Sequence, residues 1–290
     1  MHRMLVFALL ALSLLTVAPS ASAQLLAAKD GPVAYGHHHL NATNIEEQKK
    51  FFVSILGGTA IKVGTSNAEI VKFPNVLIFF RMQAPTGGTR GTTANHIGFS
   101  VPNLRAVVDK IKANGYTMIT TSEVAAGREV KDDIAAPQQA GGASIAFALG
   151  PDEVKVELVE ATQQTAPIQL HHIHLFGQQN VEMQAWYVKT FGAKPRAATP
   201  GAAFLSADLP GVALNFTPSS EPVVGTQGRA VDHIGFEVKN LEAFTKKLEA
   251  DGVKLDRPYT KVAALDIAIA FIRDPWGTYI ELTEGLDRVR

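Results

Sequence analysis

Eight of the nine histidines in this 290-residue chain fall in or beside four short stretches. These read His37-His38-His39-Leu40, His96-Ile97-Gly98-Phe99, His172-Ile173-His174-Leu175 and His233-Ile234-Gly235-Phe236. Imidazole does two kinds of work near neutral pH, proton transfer and metal ligation. Each half of the chain adds a glutamate in a strand-like run, Glu157 in 154–158 and Glu281 in 279–282. Two neutral imidazoles and one carboxylate can hold Fe2+, Mn2+, Ni2+ or Zn2+ and leave coordination positions open. Lewis-acid catalysis and O2 activation both need such an open position. The chain has no cysteine, which excludes thiolate nucleophiles and thiolate metal sites.

To meet at one ion, these side chains must project from different strands on a common face. Side chains alternate across a strand. In 96–101, Ile97, Phe99 and Val101 form the apolar face and His96, Gly98 and Ser100 the other. In 233–238, His233, Gly235 and Glu237 oppose Ile234, Phe236 and Val238. His172 and His174 oppose Ile173 and Leu175, and His37, His39 and Asn41 oppose His38, Leu40 and Ala42. Glu157 and Glu281 point away from the apolar neighbours on their strands. Taking the halves in chain order gives two triads, His37/His96/Glu157 and His172/His233/Glu281. His39 and His174 share the ligand face, where they would orient the ligands or line the cleft for a substrate. Glu237 is placed to touch a substrate, and Lys155 to form a salt bridge with Glu157. His38 and His171 lie on the opposite faces and read as structural. Gly98 and Gly235 read as small residues that leave room in the cleft.

The elements that carry these strands repeat. Asn44, Asn103, Asn180 and Asn240 follow the opening histidines at near-constant spacing, and asparagine is a good helix N-cap. Gly57, Gly115, Gly192 and Gly252 follow in turn, the residue type that ends a helix. Between them the apolar residues have helical period, as in Leu104, Val107, Val108 and Ile111, or Met183, Trp186, Tyr187 and Phe191. These aromatics and methionines are read as core. Strand-like runs follow at 60–63, 70–73 and 76–80; at 116–121, 144–149 and 154–159; at 203–207 and 212–216; and at 253–255, 267–272 and 278–283. The pattern predicts an α+β fold of four βαβββ modules, at 34–90, 93–160, 168–218 and 229–286. The polar stretch 161–169 with Pro167 is the best boundary, giving an N-terminal domain over 34–160 and a C-terminal domain over 168–286. The Gly/Ala/Gln-rich stretch 121–142 reads as a long mobile loop.

Composition is that of a globular protein, 46% hydrophobic and 19% charged. Lys plus Arg and Asp plus Glu balance at 27 each, with no basic stripe to suit nucleic acid. Residues 1–23 have a basic start at Arg3, an apolar run over 5–18 and an Ala21-Ser22-Ala23 end. That is the pattern of a cleaved secretory signal peptide, and the run is shorter than the roughly 20 residues a membrane span needs. The mature chain is therefore expected to be exported, to periplasm or medium, free of the membrane, and a monomer or homodimer.

Several longer motifs resemble one family. They are 170–175 with Trp186-Tyr187 and Phe191-Gly192, Asp232-His233-Ile234-Gly235-Phe236, and Asp274-Pro275-Trp276-Gly277 leading to Glu281, echoed at Asn95-His96-Ile97-Gly98-Phe99 and Gly150-Pro151 leading to Glu157. Together they resemble the vicinal oxygen chelate superfamily of glyoxalase I, extradiol dioxygenases and bleomycin-resistance proteins. The resemblance covers nearly all of 36–285. It implies paired βαβββ modules in curved mixed sheets. A divalent metal would be held by a His from each opening strand and a Glu from the last strand, at the triads given above. It implies a small oxygen-chelating substrate and isomerase, lyase or oxygenase chemistry; the alternative is a binding protein that sequesters a small molecule without turnover. Paired members often keep one working site, which is then expected in the C-terminal triad. Metal isomerases of the family use a further glutamate; counting back from the second histidine of each half puts Asn215 at that position in the C-terminal half and Ile78 in the N-terminal half, making Asn215 a substrate-side or weak neutral ligand. Extradiol members place an acid/base histidine near the penultimate strand. No histidine occurs there, and Tyr259 is the proton donor nearby, expected to act with Glu281.

Overall fold

The computed structural model describes residues 33–63, 69–197 and 203–289. The leader read at 1–23 lies outside them. The first module comprises β1 (Val33–Ala42), α1 (Ile45–Lys49) continued by a π-helical segment (Lys50–Ile55), β2 (Thr59–Lys62), β3 (Glu69–Phe73) and β4 (Val76–Met82). The second comprises β5 (Ala94–Val101), α2 (Leu104–Ala113), β6 (Thr117–Met118), α3 (Thr120–Glu123), a small hairpin of β7 (Val130–Lys131) and β8 (Ile134–Ala135), β9 (Ile145–Leu149) and β10 (Lys155–Glu160). In the third are β11 (Gln169–Gly177), α4 (Asn180–Phe191), β12 (Lys194–Pro195), β13 (Leu205–Leu209) and β14 (Val212–Pro218). The fourth runs β15 (Val231–Val238), α5 (Leu241–Ala250), β16 (Leu255–Val262), β17 (Ile267–Arg273) and β18 (Tyr279–Glu284). Each module is βαβββ in outline, as the repeats predict.

Local chemistry explains the repeat. The Asn44, Asn103 and Asn240 side chains accept from backbone N–H groups of the first helical turn, satisfying donors the helix leaves unpaired. Asn180 departs from this: Gln179 is the cap position of α4, and the Asn180 amide donates to the Phe216 carbonyl. Gly192 ends α4 in the left-handed region at φ 73°, where a Cβ would be costly. The stretch 121–142 is more structured than a loop, since α3 and the hairpin are tied by Thr120 Oγ1 donating to the Asp133 carbonyl and Arg128 Nε to the Ala136 carbonyl.

The modules do not pair in chain order. One eight-stranded sheet runs β16-β17-β18-β15-β1-β4-β3-β2, joining the fourth module to the first. The other runs β12-β13-β14-β11-β5-β10-β9-β8-β7, joining the third to the second. The expected sheets over 34–160 and 168–286 are thus replaced by a middle pair and an outer pair. In each module the opening strand is flanked on one edge by its own last strand, in parallel, and its other edge must find a partner. The short 161–169 connection takes the chain from β10 to β11, which pairs with β5 in the same sheet. The linkers into and out of the middle pair lie together: Thr93 N–H donates to the Val224 carbonyl and Ala230 N–H to the Gly87 carbonyl.

The larger of two apolar cores spans both sheets. Phe191 of α4 stacks on Phe236 of β15 at 4.5 Å between centroids, and Phe73 meets Phe99 at 4.8 Å. These contacts join modules that belong to different sheets. Each such fully buried side chain contributes on the order of 1.5–3 kcal/mol. The Asp274-Pro275-Trp276-Gly277 motif is structural: the Asp274 carboxylate accepts from Tyr187 Oη and from the Trp276 and Thr278 N–H groups. No helix among the described residues is long and apolar enough to cross a membrane.

Candidate metal centres

The sheet order sets which side chains converge. In the outer sheet His37 of β1 lies opposite Gly235 of β15, and Gly235 is opposite Glu281 of β18. His233, two residues before the glycine, completes the group. The Glu281 Oε2 atom lies 2.9 Å from His37 Nε2 and 2.9 Å from His233 Nε2. In the inner sheet His172 of β11 is opposite Gly98 of β5, and Gly98 is opposite Glu157 of β10. Glu157 Oε2 lies 2.8 Å from His96 Nε2 and 3.1 Å from His172 Nε2. The two centres are therefore His37/His233/Glu281 and His96/His172/Glu157. All six residues expected from the sequence are used, but each triad has exchanged a histidine, because the opening strands pair across the halves. In both centres the ligand atoms lie within 4.8 Å of one another.

Beta-bulges aim the histidines. Register shifts fall between Tyr35 and His37 and between Leu170 and His172. An extra residue reverses the alternation, so Tyr35 and Leu170 face the core while His37 and His172 face the cluster. A second pair of shifts, after His39 and after His174, loops out Asp232 and Asn95 on the partner strands. These are the residues whose oxygens meet the imidazole Nδ1 atoms of His233 (2.7 Å) and His96 (3.0 Å). The glycines read as room-makers have a specific use. A Cβ at Gly235 would meet the His37 ring, and one at Gly98 the His172 ring.

The donor set fits a divalent cation. Asp232 accepts from His233 Nδ1–H, which leaves the Nε2 lone pair facing the Glu281 carboxylate. That arrangement requires either a proton or a metal ion between them. In the inner centre His96 Nε2 faces Glu157 Oε2, His172 Nε2 at 3.3 Å and His174 Nδ1 at 3.1 Å. One N–H cannot serve three such neighbours, whereas one cation can. Outer groups that hold the second nitrogen of a ligating histidine are a regular feature of metal sites.

Burial and charge set the protonation. Burial favours a neutral Glu281 and Glu157, but the paired imidazoles outweigh it and hold both carboxylates below their ordinary range. Burial pulls the His233 imidazole down, and the Asp232 and Glu281 carboxylates more than offset that, raising it above 6.5. Asp232 is held at about 2: burial raises it, and His233 and the Gly228 N–H lower it further. His96 drops to about 3, chiefly through burial, and is a neutral ligand at any ordinary pH.

The remaining expected site residues divide. His39 and His174 lie on the ligand faces, their rings 4.6 Å from His233 and His96 respectively. Asn215 is opposite His174, its Oδ1 accepting from Ser206 Oγ. The equivalent residue opposite His39 is Phe79, not Ile78, which is buried on the core face; the connection between β4 and β5 is one residue shorter than that between β14 and β15. Glu237 does not reach the centre. Its carboxylate accepts from Thr283 Oγ1 and the Gly285 and Leu286 N–H groups, anchoring the C-terminal turn. Tyr259 sits on the edge strand β16, half-buried, with its ring packed against the main core. Lys155 pairs with Glu123 at 2.6 Å instead of Glu157. His38 is buried against Tyr35 Oη, as a structural residue should be. The sequence pattern does not single out Asp232, Asn95, Thr217 or Phe79. For Asp232 and Asn95, a polar residue directly before a strand-opening histidine is the available signal.

Residues 169–282 match the model of the Glyoxalase/Bleomycin resistance protein/Dioxygenase superfamily. No curated protein matches the sequence. Among solved structures, glyoxalase I from Zea mays superposes with a TM-score of 0.66 at 16% identity, covering 88% of this chain and 94% of that one. A Bacillus subtilis protein with a provisional dioxygenase assignment superposes with a TM-score of 0.62 at 12% identity, covering 87% of this chain and 84% of that one. At these identities the likeness concerns the fold. The matched segment, the motif pattern and the fold agree: residues 169–282 are similar to the glyoxalase/bleomycin-resistance/dioxygenase superfamily, and the chain as a whole has a glyoxalase I-like fold.

Proposed function

We propose that this chain is a metal-dependent enzyme acting on a small substrate that offers adjacent oxygen atoms, by isomerase, lyase or oxygenase chemistry. The observation that carries the reading is the carboxylate-flanked His233, whose Nε2 lies 2.9 Å from the same Glu281 oxygen that His37 Nε2 meets at 2.9 Å, repeated in outline around His96. Fe2+, Mn2+, Ni2+ and Zn2+ suit this donor set. A bound divalent ion supplies a Lewis acid for the substrate oxygens, or a site for O2 activation.

The chain's own residues do the rest. Asp232 fixes the His233 ring, itself held by Asn41 Nδ2 and the Gly228 N–H. Glu281 stays ionised. Phe79, Phe271 and Tyr279 pack edge-on or tilted against the two histidines and keep water from their faces. Beside them a second apolar cluster, including Leu77, Ile269 and Phe271, forms a wall for the carbon part of a substrate. A cavity of about 270 Å³ opens at the far edge of that cluster, between Lys62, Leu265 and Arg288, and does not touch the ligands. The leader at 1–23 adds that the enzyme is exported, and N-terminal sequencing of the mature protein is expected to begin at Gln24.

The second reading, sequestration without turnover, is favoured by the same apolar wall and is separated by one experiment. Metal-loaded protein is offered a hemithioacetal and a catechol, with product formation and O2 uptake followed beside equilibrium binding. Turnover lost in Glu281→Gln supports the enzyme. Tight binding of such a ligand without turnover supports sequestration.

A further inference from the structure

We propose that the two centres differ in ligand number: the inner centre holds its metal through four side chains, His96, Glu157, His172 and His174, and the outer through three, so that substrate meets metal only in the outer centre. This rests on the metal-dependent reading above and extends it by dividing the work.

The asymmetry lies in what faces the third histidine of each centre. His174 and His39 occupy equivalent places, opposite His96 and His233. His174 Nε2 lies 2.6 Å from Thr217 Oγ1. With the hydroxyl accepting that N–H, Nδ1 carries the lone pair and points into the cluster, 3.1 Å from His96 Nε2. Asn215, the small polar residue opposite His174, leaves the ring free to sit there. In the outer centre the place of Asn215 is taken by Phe79, and His39 lies nearly parallel to that ring, at 25° and 5.9 Å. The place of Thr217 is taken by Arg81, which has no acceptor to fix a tautomer. His174 accordingly joins the inner group of ligand atoms, whereas His39 is not part of the outer one.

The surroundings agree. The inner centre is covered by the buried Lys155, only 2% exposed, with its ammonium on Glu123 and over the Phe147 and Phe176 rings. The outer centre is flanked instead by Phe79, Phe271 and Tyr279 of the second apolar cluster, with no charged side chain in the place of Lys155. Four protein ligands are the usual complement of a closed structural site, and three with an open position that of a catalytic one.

The test uses the full mature protein, stripped of metal and loaded with Co2+, with affinities from competition against a coloured chelator. Two Co2+ per chain in two affinity classes are expected. His174→Ala should weaken the tighter class about 10-fold or more and leave the other unchanged. His39→Ala should change neither class. Because His174→Ala removes a buried ring, Thr217→Val, which keeps shape and touches no metal, should act in the same direction. Azide should perturb only the visible bands that disappear in His37→Ala. Unchanged affinities in both His174→Ala and Thr217→Val would overturn the proposal, as would azide binding in His37→Ala. One Co2+ per chain would overturn it while leaving the metal-dependent reading standing. No Co2+ at all would remove both.

Discussion

The imidazole of His37 occupies the space that a side chain at position 235 would fill, and the imidazole of His172 does the same over Gly98. Neither glycine is needed for backbone freedom; each is an absence that admits a ligand from the neighbouring strand. Gly235→Ala should therefore fold, since the displaced group is the end of a movable side chain, but should push His37 off Glu281. Loss of the outer metal with the inner one retained is the expected outcome, and Gly98→Ala should give the reverse. Elemental analysis of both variants checks it. Full retention of two metals in Gly235→Ala would contradict the packing.

Asp232 positions His233 and is not itself a ligand. Asp232→Asn should lower outer-centre affinity about 10–100-fold and leave the inner centre unaltered. The pH dependence has a definite sign. In the metal-free chain His233 titrates above 6.5, so its stabilising charge is fully present below 6.5 and lost as pH rises through the folded value. Metal competes with that proton, so outer-centre occupancy should fall first as a Co2+-loaded sample is acidified. The inner centre, with His96 at about 3, should hold to lower pH. A visible-band titration of wild type beside Asp232→Asn checks this, and the variant's proton competition should move to lower pH.

Glu237 gives an independent pH signal. Burial lifts its carboxyl from 4.5 to about 7, against the pull of the Gly285, Thr283 and Leu286 donors. A raised folded pKa means that the stabilising effect is complete below 4.5 and lost as pH rises to about 7. The free-energy swing between those two pH values is on the order of a few kcal/mol. Thermal melts of metal-free protein, from the acid side of 4.5 to the alkaline side of 7, should show a fall in stability that Glu237→Gln lacks. Parallel curves for the two proteins would contradict the assignment.

Much of this is legible in the chain because it is local. Asn103 and Asn240 cap where the spacing says, the four βαβββ modules are in place, and His37, His96, His172, His233, Glu157 and Glu281 all reach one of the two buried His/Glu clusters. What spacing does not carry is the partner of each opening strand. β1 could add to β5 or to β15 with its alternation equally satisfied, and the choice depends on packing across the whole molecule, such as Phe191 on Phe236. The bulges at Gly36 and His171 are similarly silent, since a pattern of period two has no mark for an extra residue. Connection length is silent too: the link from β4 to β5 is one residue shorter than that from β14 to β15, which is why Phe79 rather than Ile78 takes the place of Asn215. Glu237 illustrates the other limit: a residue on the right strand can still be spent on holding a turn.

The regrouping of the triads is tested most directly by counting metal in paired variants. Metal-loaded wild type, His37→Ala with His233→Ala, and His37→Ala with His96→Ala are purified without a histidine tag and analysed for metal per chain. Centres at His37/His233/Glu281 and His96/His172/Glu157 predict two tightly bound ions, one, and none bound with wild-type affinity. One metal in the His37/His96 pair and none in the His37/His233 pair would contradict the pairing of the modules and restore triads within each half.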